Sequence, residues 1–215
     1  MPIVLSELHY LPSVPYFQQL LPADALLLDA HEHYQKQTFR NRALILTAQG
    51  PQPLTVPVVD GARSQKVPTS EIEIDYRQNW PHRHLRTLQT AYGASPYYGY
   101  YADYFEDVIR QRPARLWDLN LALLQLVLRC LRWPLPVRQT TEYHPPAPSF
   151  IHSLTPSPLD LRDTLTPQAP VPDSLAPQPY PQVFGPAFVP GLSVLDLLFM
   201  QGPRAGQILA GRQLA

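Results

Sequence analysis

The chain has 215 residues, with 17 Lys and Arg against 17 Asp and Glu, so it can bury one main core and offers no basic face for a nucleic-acid backbone. Its one cysteine, Cys130, excludes an internal disulfide and fits a reducing compartment. A cytoplasmic protein is expected: Met1 to Glu7 lacks the basic start and long apolar run of a signal peptide. The most apolar stretch, Leu116 to Trp133, carries Asp118, Asn120, Gln125, Arg129 and Arg132, which argues against a membrane span.

In chain order, Pro2 to Leu11 reads as a strand, with Ile3, Val4, Leu5 and Leu8 apolar. A turn at Pro12-Ser-Val-Pro15 leads into a short helix from Tyr16 to Leu21, with Ser13 placed as N-cap and Pro15 in the first turn. Ala25 to Asp29 is a second strand, followed by the polar block His31 to Arg42. Arg42 to Thr47 and Leu54 to Val59 flank the loop Ala48-Gln-Gly-Pro-Gln-Pro53 as an antiparallel pair. Glu71 to Tyr76 alternates like a strand with one wet face. From Asn79 the period becomes helical: Asn79 caps, Pro81 falls in the first turn, Leu85, Leu88 and Tyr92 share a face, and Gly93 stops the run. Asp103 to Arg112 gives a second long helix, and Leu116 to Trp133 a third, apolar nearly all round and therefore central.

About half of the 27 prolines fall between residues 145 and 190, where their spacing prevents regular helix or sheet. That stretch is expected to wrap the surface, with a disordered centre near residues 155–175. Leu192 to Met200 then forms a compact helix, with Ser193 as N-cap and Gly202-Pro203 as its stop. These elements predict an α/β (or α+β) protein: a mixed sheet from the N-terminal third with helices packed on one face. Its main domain covers residues 1–144, the Pro-rich wrap 145–190, and a returning C-terminal helix 191–215.

The polar block His-Glu-His-Tyr-Gln-Lys-Gln-Thr-Phe-Arg-Asn-Arg, residues 31–42, is the first candidate site. Apolar runs of strand length flank it on both sides, so core anchors both of its ends, a common setting for ligand contacts. It contains no Gly or Pro, unlike an ordinary hairpin tip. If the block is extended, Lys36, Arg40 and Arg42 point to one face and can hold a phosphate by charge and bidentate forks. A charged, solvated edge strand is the competing reading.

His31 and His33 could share a strand face, but no third ligand accompanies them, and no metal site is predicted. His84 lies one turn after Trp80 near a helix N-terminus, where the dipole favours the neutral imidazole of a general base; a hydrogen-bonded structural His fits equally. Tyr92, Tyr97, Tyr98, Tyr100, Tyr101 and Tyr104 form the densest aromatic patch, either a sugar or base platform or helix packing with wet hydroxyls. Cys130 sits in an apolar helical pattern and reads as a core residue.

Several pieces in this order resemble the WbqC-like protein family over nearly the whole chain. They are Tyr10-Leu-Pro12 with Tyr16-Phe17, Tyr34 to Arg42 with its Arg-Asn-Arg ending, and Leu54-Thr-Val-Pro57. Further along come Trp80 with His84, Tyr92 with Ser95-Pro-Tyr-Tyr98, Phe188-Val-Pro190, Leu192 to Phe199, and Gly202-Pro203. The chain departs from the pattern at Ser6-Glu7-Leu8, where many members carry His-Gln-Pro, so any role of that opening His is missing or passes to His9 or His31.

The resemblance implies a role in surface-polysaccharide (O-antigen-type) biosynthesis, as a transferase of an acyl or aminoacyl group that modifies a nucleotide-linked or activated amino sugar. A non-catalytic binding or scaffold protein of the same pathway is the alternative, using the Tyr-rich patch and the Pro-rich segment. On the transferase reading, His84, His31 and Glu32 are the catalytic candidates. Lys36, Arg40, Asn41, Arg42, Tyr10, Trp80, Tyr97 and Asp196 are the ligand contacts. The expected partner is a small molecule, a phosphate-bearing sugar or acyl donor, with no cofactor and no nucleic acid.

Overall fold

The computed structural model describes residues 2–59, 67–145, 158–175 and 177–211. Strand β1 (Ile3–Ser6) lies inside a four-stranded sheet, between β2 (Ala25–Leu28) and β6 (Leu159–Asp160), with β5 (Val137–Gln139) beyond β2. Every pairing in this sheet is parallel. Val4, Leu5 and Ser6 are all buried, so both faces of β1 are covered, as expected of a strand inside a parallel sheet. The expected strand from Pro2 to Leu11 therefore ends at Ser6, and the residues after it turn into the interior.

A separate antiparallel ribbon joins β3 (Arg42–Thr47) to β4 (Gly50–Thr55). The sequence places Gly50 to Pro53 in a loop, yet they pair in register with Thr47 to Leu44. Prolines fit here because β4 has an outer edge on which no N–H is required. The two ladders together give α/β architecture, as a parallel sheet plus a ribbon instead of one mixed sheet.

Helix α1 (Val14–Leu20) is capped by Ser13, whose Oγ accepts the Tyr16 N–H at 3.4 Å. Helices α2 (Trp80–Tyr92), α3 (Tyr98–Arg110) and α4 (Leu116–Cys130) follow, with nine buried side chains making α4 central. Asn79 occupies the N-cap of α2 without a side-chain cap bond, and α3 begins five residues earlier than its apolar pattern suggests, taking in Tyr98, Tyr100 and Tyr101. Glu71 to Tyr76 keeps the expected alternation, with Ile72 and Ile74 buried, but forms only the isolated bridges Val58–Ile74 and Glu73–Arg115 after a short 3-10 turn.

In the described part of the Pro-rich stretch, residues 158–175, β6 joins the sheet, Gln19 and Thr164 share a hydrogen bond, and Gln168 donates to the Gln37 carbonyl at 3.0 Å. Residues 155–157 lie outside the described residues. Helix α5 (Val194–Gln201) buries Val194, Leu195, Leu197, Leu198 and Phe199, and Ser193 caps it by accepting the Leu195 N–H. Gly202 follows at φ +53°, where a Cβ would lie about 2.5 Å from the Tyr97 ring, so the close approach of α5 and α3 requires glycine there. A last short helix, α6 (Ala205–Leu209), packs back onto the core. Among the described residues, no helix is long and apolar enough to cross a membrane.

Candidate functional site

Because β1, β2, β5 and β6 run parallel, the residues that follow each of them emerge at one edge of the sheet. Glu7 and His9 follow β1, Asp29 to Glu32 follow β2, Thr140 to Tyr143 follow β5, and Arg162 and Asp163 follow β6. The carboxyl edge of an open parallel sheet is where such folds place their ligands. Here it holds a cavity of about 460 Å³ lined by Glu32, His33, Lys36, Tyr143, Asp160, Arg162 and Asp163, among others.

Two guanidinium groups organise the floor. Arg40, almost fully buried, is bidentate to Glu32 (Nε to Oε1 2.7 Å, Nη2 to Oε2 2.5 Å) and also donates to Asp163 Oδ1 at 3.0 Å. Arg162 is bidentate to Asp160 and reaches across β1 to Asp29 Oδ2 at 2.5 Å and to the His144 carbonyl at 2.7 Å. Asp29 is otherwise occupied locally: its Oδ1 accepts the N–H groups of His31 and Glu32, both at 3.1 Å. The polar block is stapled in place by residues 67–69, with Tyr34 N–H on the Val67 carbonyl and Thr69 N–H on the Glu32 carbonyl.

The block is a series of turns, with Gln37 in the left-handed region at φ +59°, and not the extended segment that would align its cations. Lys36 lines the cavity, Arg40 lies in its floor, and Arg42 starts β3 opposite Thr55 with its Nε buried and without a partner among the described residues. Even spacing does not bring the three to one face, because the chain turns between them.

Electrostatics separates the carboxylates. Burial, reinforced by the charges of Glu7 and Asp163, pushes the Glu32 carboxyl up to about 7 against the pull of Arg40. Burial acts the same way on Glu7, but there the charge and hydrogen bond of His9, with Arg40 behind, win and bring it down to about 2. Glu7 Oε1 lies 2.7 Å from His9 Nε2, and its Oε2 accepts the Asp163 N–H at 3.2 Å.

A second group of candidates sits apart from the cavity lining. His84 is buried on α2, accepts the Tyr10 hydroxyl hydrogen bond on Nδ1 at 3.0 Å, and packs edge-on to Trp80 with ring centroids 5.0 Å apart. Burial drives its imidazole down to about 4, opposed by a hydrogen bond to the Thr55 backbone, so the ring is neutral at physiological pH. Tyr10 and Trp80 are themselves almost fully buried, and Asn41 donates to the Val56 carbonyl at 2.9 Å. His31 is half-buried beside Asp29.

The remaining candidates lie on the C-terminal side. Tyr97 packs at Gly202 and donates its N–H to the Phe199 carbonyl. Asp196 is fully buried on α5, accepting from the Tyr180 hydroxyl at 2.8 Å and Gln182 at 3.1 Å. Of the tyrosine patch, Tyr92 and Tyr98 pack on Phe199, whereas Tyr100 and Tyr104 face solvent. Cys130 is half-buried and its thiol is pushed up to about 11, which leaves it unreactive. Among the described residues, no cluster of three His, Cys, Asp or Glu side chains could hold a metal ion.

Glu7, Asp29, Asp160, Arg162 and Asp163 were not singled out from sequence. One signal was present: Asp160, Arg162 and Asp163 are three of only four charged Asp, Glu, Lys or Arg residues between 145 and 190.

The architecture is that of an α/β protein with a charged cavity at the carboxyl edge of its parallel sheet. The chain belongs to the WbqC-like protein family, whose model matches residues 8–152 and 173–208. It is similar to uncharacterized protein Rv1507c of Mycobacterium tuberculosis, with 27% identity over 233 residues covering 96% of each chain. No solved structure matches it.

Proposed function

We propose that this chain is a transferase that modifies an amino sugar, activated or nucleotide-linked, in surface-polysaccharide synthesis, and that the carboxyl-edge cavity receives the sugar. The observation that carries this reading is the composition of the cavity wall. His33 and Tyr143 stack with centroids 6.1 Å apart at 22°, facing a wall of Glu32, Asp160 and Asp163. A sugar ring has an apolar C–H face for the aromatic plate and hydroxyls for the carboxylates.

The charge balance refines the choice of sugar. Glu7, Asp29, Glu32, Asp160 and Asp163 outnumber Lys36, Arg40 and Arg162, a surplus of acid that favours an amine over a bare phosphate. Arg40 is engaged by carboxylates, so Lys36 at the wall is the better partner for a nucleotide phosphate. Glu32, with a carboxyl near neutrality, is the group to take a proton from the attacking amine. His84 acts at a distance through Tyr10, whose N–H is bound to the Phe39 carbonyl beside Arg40. A reducing, cytoplasmic setting fits a nucleotide-sugar substrate.

The scaffold reading draws on the exposed Tyr100 and Tyr104, 73% and 57% accessible. A thermal-shift panel of amino sugars, their nucleotide-linked forms, neutral sugars and free nucleotides separates the two. The transferase reading expects a shift with amino sugars that Tyr143→Ala weakens by about tenfold in affinity, the worth of one aromatic contact. Absence of any shift across the sugars would favour the scaffold.

A further inference from the structure

Strand β5 is the last strand on its side of the parallel sheet, and among the described residues no strand pairs with its outer edge. Its inward groups are set by the ladder: the Pro136 carbonyl accepts the Leu26 N–H at 2.8 Å, and the Thr140 N–H goes to the Leu28 carbonyl at 2.9 Å. Because direction alternates along a strand, the N–H and C=O groups of Val137 and Gln139 point outward. An open edge of this kind is a template for another polypeptide.

The ground beside this edge can receive side chains. Between α4 and the run into β5 lies a groove of about 690 Å³, with Leu128, Leu135 and Val137 as apolar lining and Arg129 and Arg132 among its polar residues. Trp133 lines it too. Trp133 and Arg132 also line a second groove of about 340 Å³, together with Leu21, Pro203 and Leu209. A half-exposed Trp beside an arginine, with two apolar hollows against it, has the composition of an interface anchor. The anchor is held from within, its ring 6.4 Å from that of Phe17.

Charge decides what can occupy this face. Arg129 and Arg132 line the first groove, and Arg138, next to Val137 along β5, projects to the opposite side of the sheet. All three are exposed, and among the described residues no acidic side chain lines either groove. A second copy joined edge to edge would set these arginines against their own images. The segments outside the described residues carry a single acidic side chain, Asp60, against Arg63, Lys66 and Arg212, so the chain itself does not supply the counter-charge. We propose that the β5 edge and the grooves at Trp133 dock an extended, acidic segment of another protein. The segment's backbone pairs with Val137 and Gln139, and an apolar side chain enters the groove beside Trp133. Its carboxylates meet Arg129 and Arg132 on one face and Arg138 on the other. This surface does not depend on the transferase reading, although the chain runs on from β5 to Tyr143 in the wall of the sugar cavity.

A synthetic peptide of about eight residues, alternating glutamate with valine, serves as the probe, titrated into the full chain and followed by backbone amide signals. It should shift Val137 and Gln139 and bind about tenfold more tightly than the same peptide with glutamine for glutamate, the worth of three exposed charge contacts. Arg132→Glu should erase most of that preference, and methylating the peptide's pairing amide nitrogens should abolish binding with its charge unchanged. Equal affinity for the two peptides, no saturation up to about 1 mM, or shifts away from β5 would overturn the proposal. Hydrogen exchange in the free chain gives a second reading: the Val137 and Gln139 amides should exchange far faster than those of Arg138 and Thr140. Protection of Val137 and Gln139 that fades on dilution would assign the edge to a second copy, and protection at every dilution would assign it to the chain itself. Either result overturns the acidic partner.

Discussion

Two buried carboxylate centres among the described residues are compensated differently. At the carboxyl edge of the sheet, Glu7, Asp29 and Glu32 are matched by the guanidinium groups of Arg40 and Arg162, and the network opens onto a cavity. Around Asp196 there is no cation among the described residues: Tyr180 and Gln182 supply neutral hydrogen bonds, and burial raises the carboxyl above its ordinary range despite them. Charged compensation makes a buried acid costly to disturb, because removing the cation strands the charge; neutral compensation can be met by an amide. The Asp196 centre ties Tyr180 and Gln182 of the Pro-rich wrap to α5, so it serves as a fastening.

The largest effect that sharpens this contrast is removal of the fastening's platform. Deleting residues 191–215 takes away Val194, Leu195, Leu197, Leu198 and Phe199, each worth roughly 1.5–3 kcal/mol of burial. Against a typical total stability of about 5–15 kcal/mol, the truncated chain should show no cooperative thermal transition. Next comes Arg40→Met, which strands Glu32 without its cation and should cost about 3–5 kcal/mol in urea unfolding. Arg40→Lys should also destabilise, by less, because charge survives and the fork does not. A substitution there that left stability untouched would erase the distinction between the two centres.

Tyr180→Phe removes one neutral donor from Asp196 and should cost about 1–3 kcal/mol, with the Pro-rich wrap loosening in hydrogen exchange before the sheet does. The smallest effect is expected from Asp196→Asn, within about 1 kcal/mol at neutral pH, since an amide oxygen can still accept from Tyr180 and Gln182.

Glu7 and Asp196 should also respond oppositely to pH. The folded-state pKa of Glu7 is depressed, so its stabilisation is present above the unfolded value of 4.5 and is lost as pH falls towards about 2. The folded-state pKa of Asp196 is raised, so it costs stability as pH climbs above the unfolded value of 3.8. Unfolding curves across pH should therefore show Glu7→Gln flattening the acid limb and Asp196→Asn flattening the limb above it. Identical profiles for both variants would break the comparison.

Much of this was legible in local sequence. Ser13 and Ser193 announce their helices because capping is decided within three residues, and the polar block stands out as a candidate because its composition conflicts with its flanks. The condition on which its cations would align, an extended block, is not met, since backbone bonds from residues 67–69 hold it in turns. The partners of its charges were beyond local reading as well: Arg40 meets Asp163 and Asp29 meets Arg162 only after the chain has traversed three helices and a proline-rich stretch. Alternation in Glu71 to Tyr76 matches the burial of Ile72 and Ile74 but not a full strand, because side-chain periodicity reports which face is wet and not whether a ladder forms.

Ser13 and Ser193 face each other as an antiparallel bridge, with Val14 N–H on the Leu192 carbonyl and Val194 N–H on the Pro12 carbonyl, both at 2.9 Å. The two helix starts thus complete one another across roughly 180 residues of chain. During synthesis at about 5–20 residues per second, the first must wait on the order of 10–40 s for the second to be made. Over most of that interval β1 also lacks β6, leaving one of its hydrogen-bonding edges open. A nascent chain of this protein is therefore a client for whatever shields unpaired strands at the ribosome, and its yield should depend on that protection more than on its final stability.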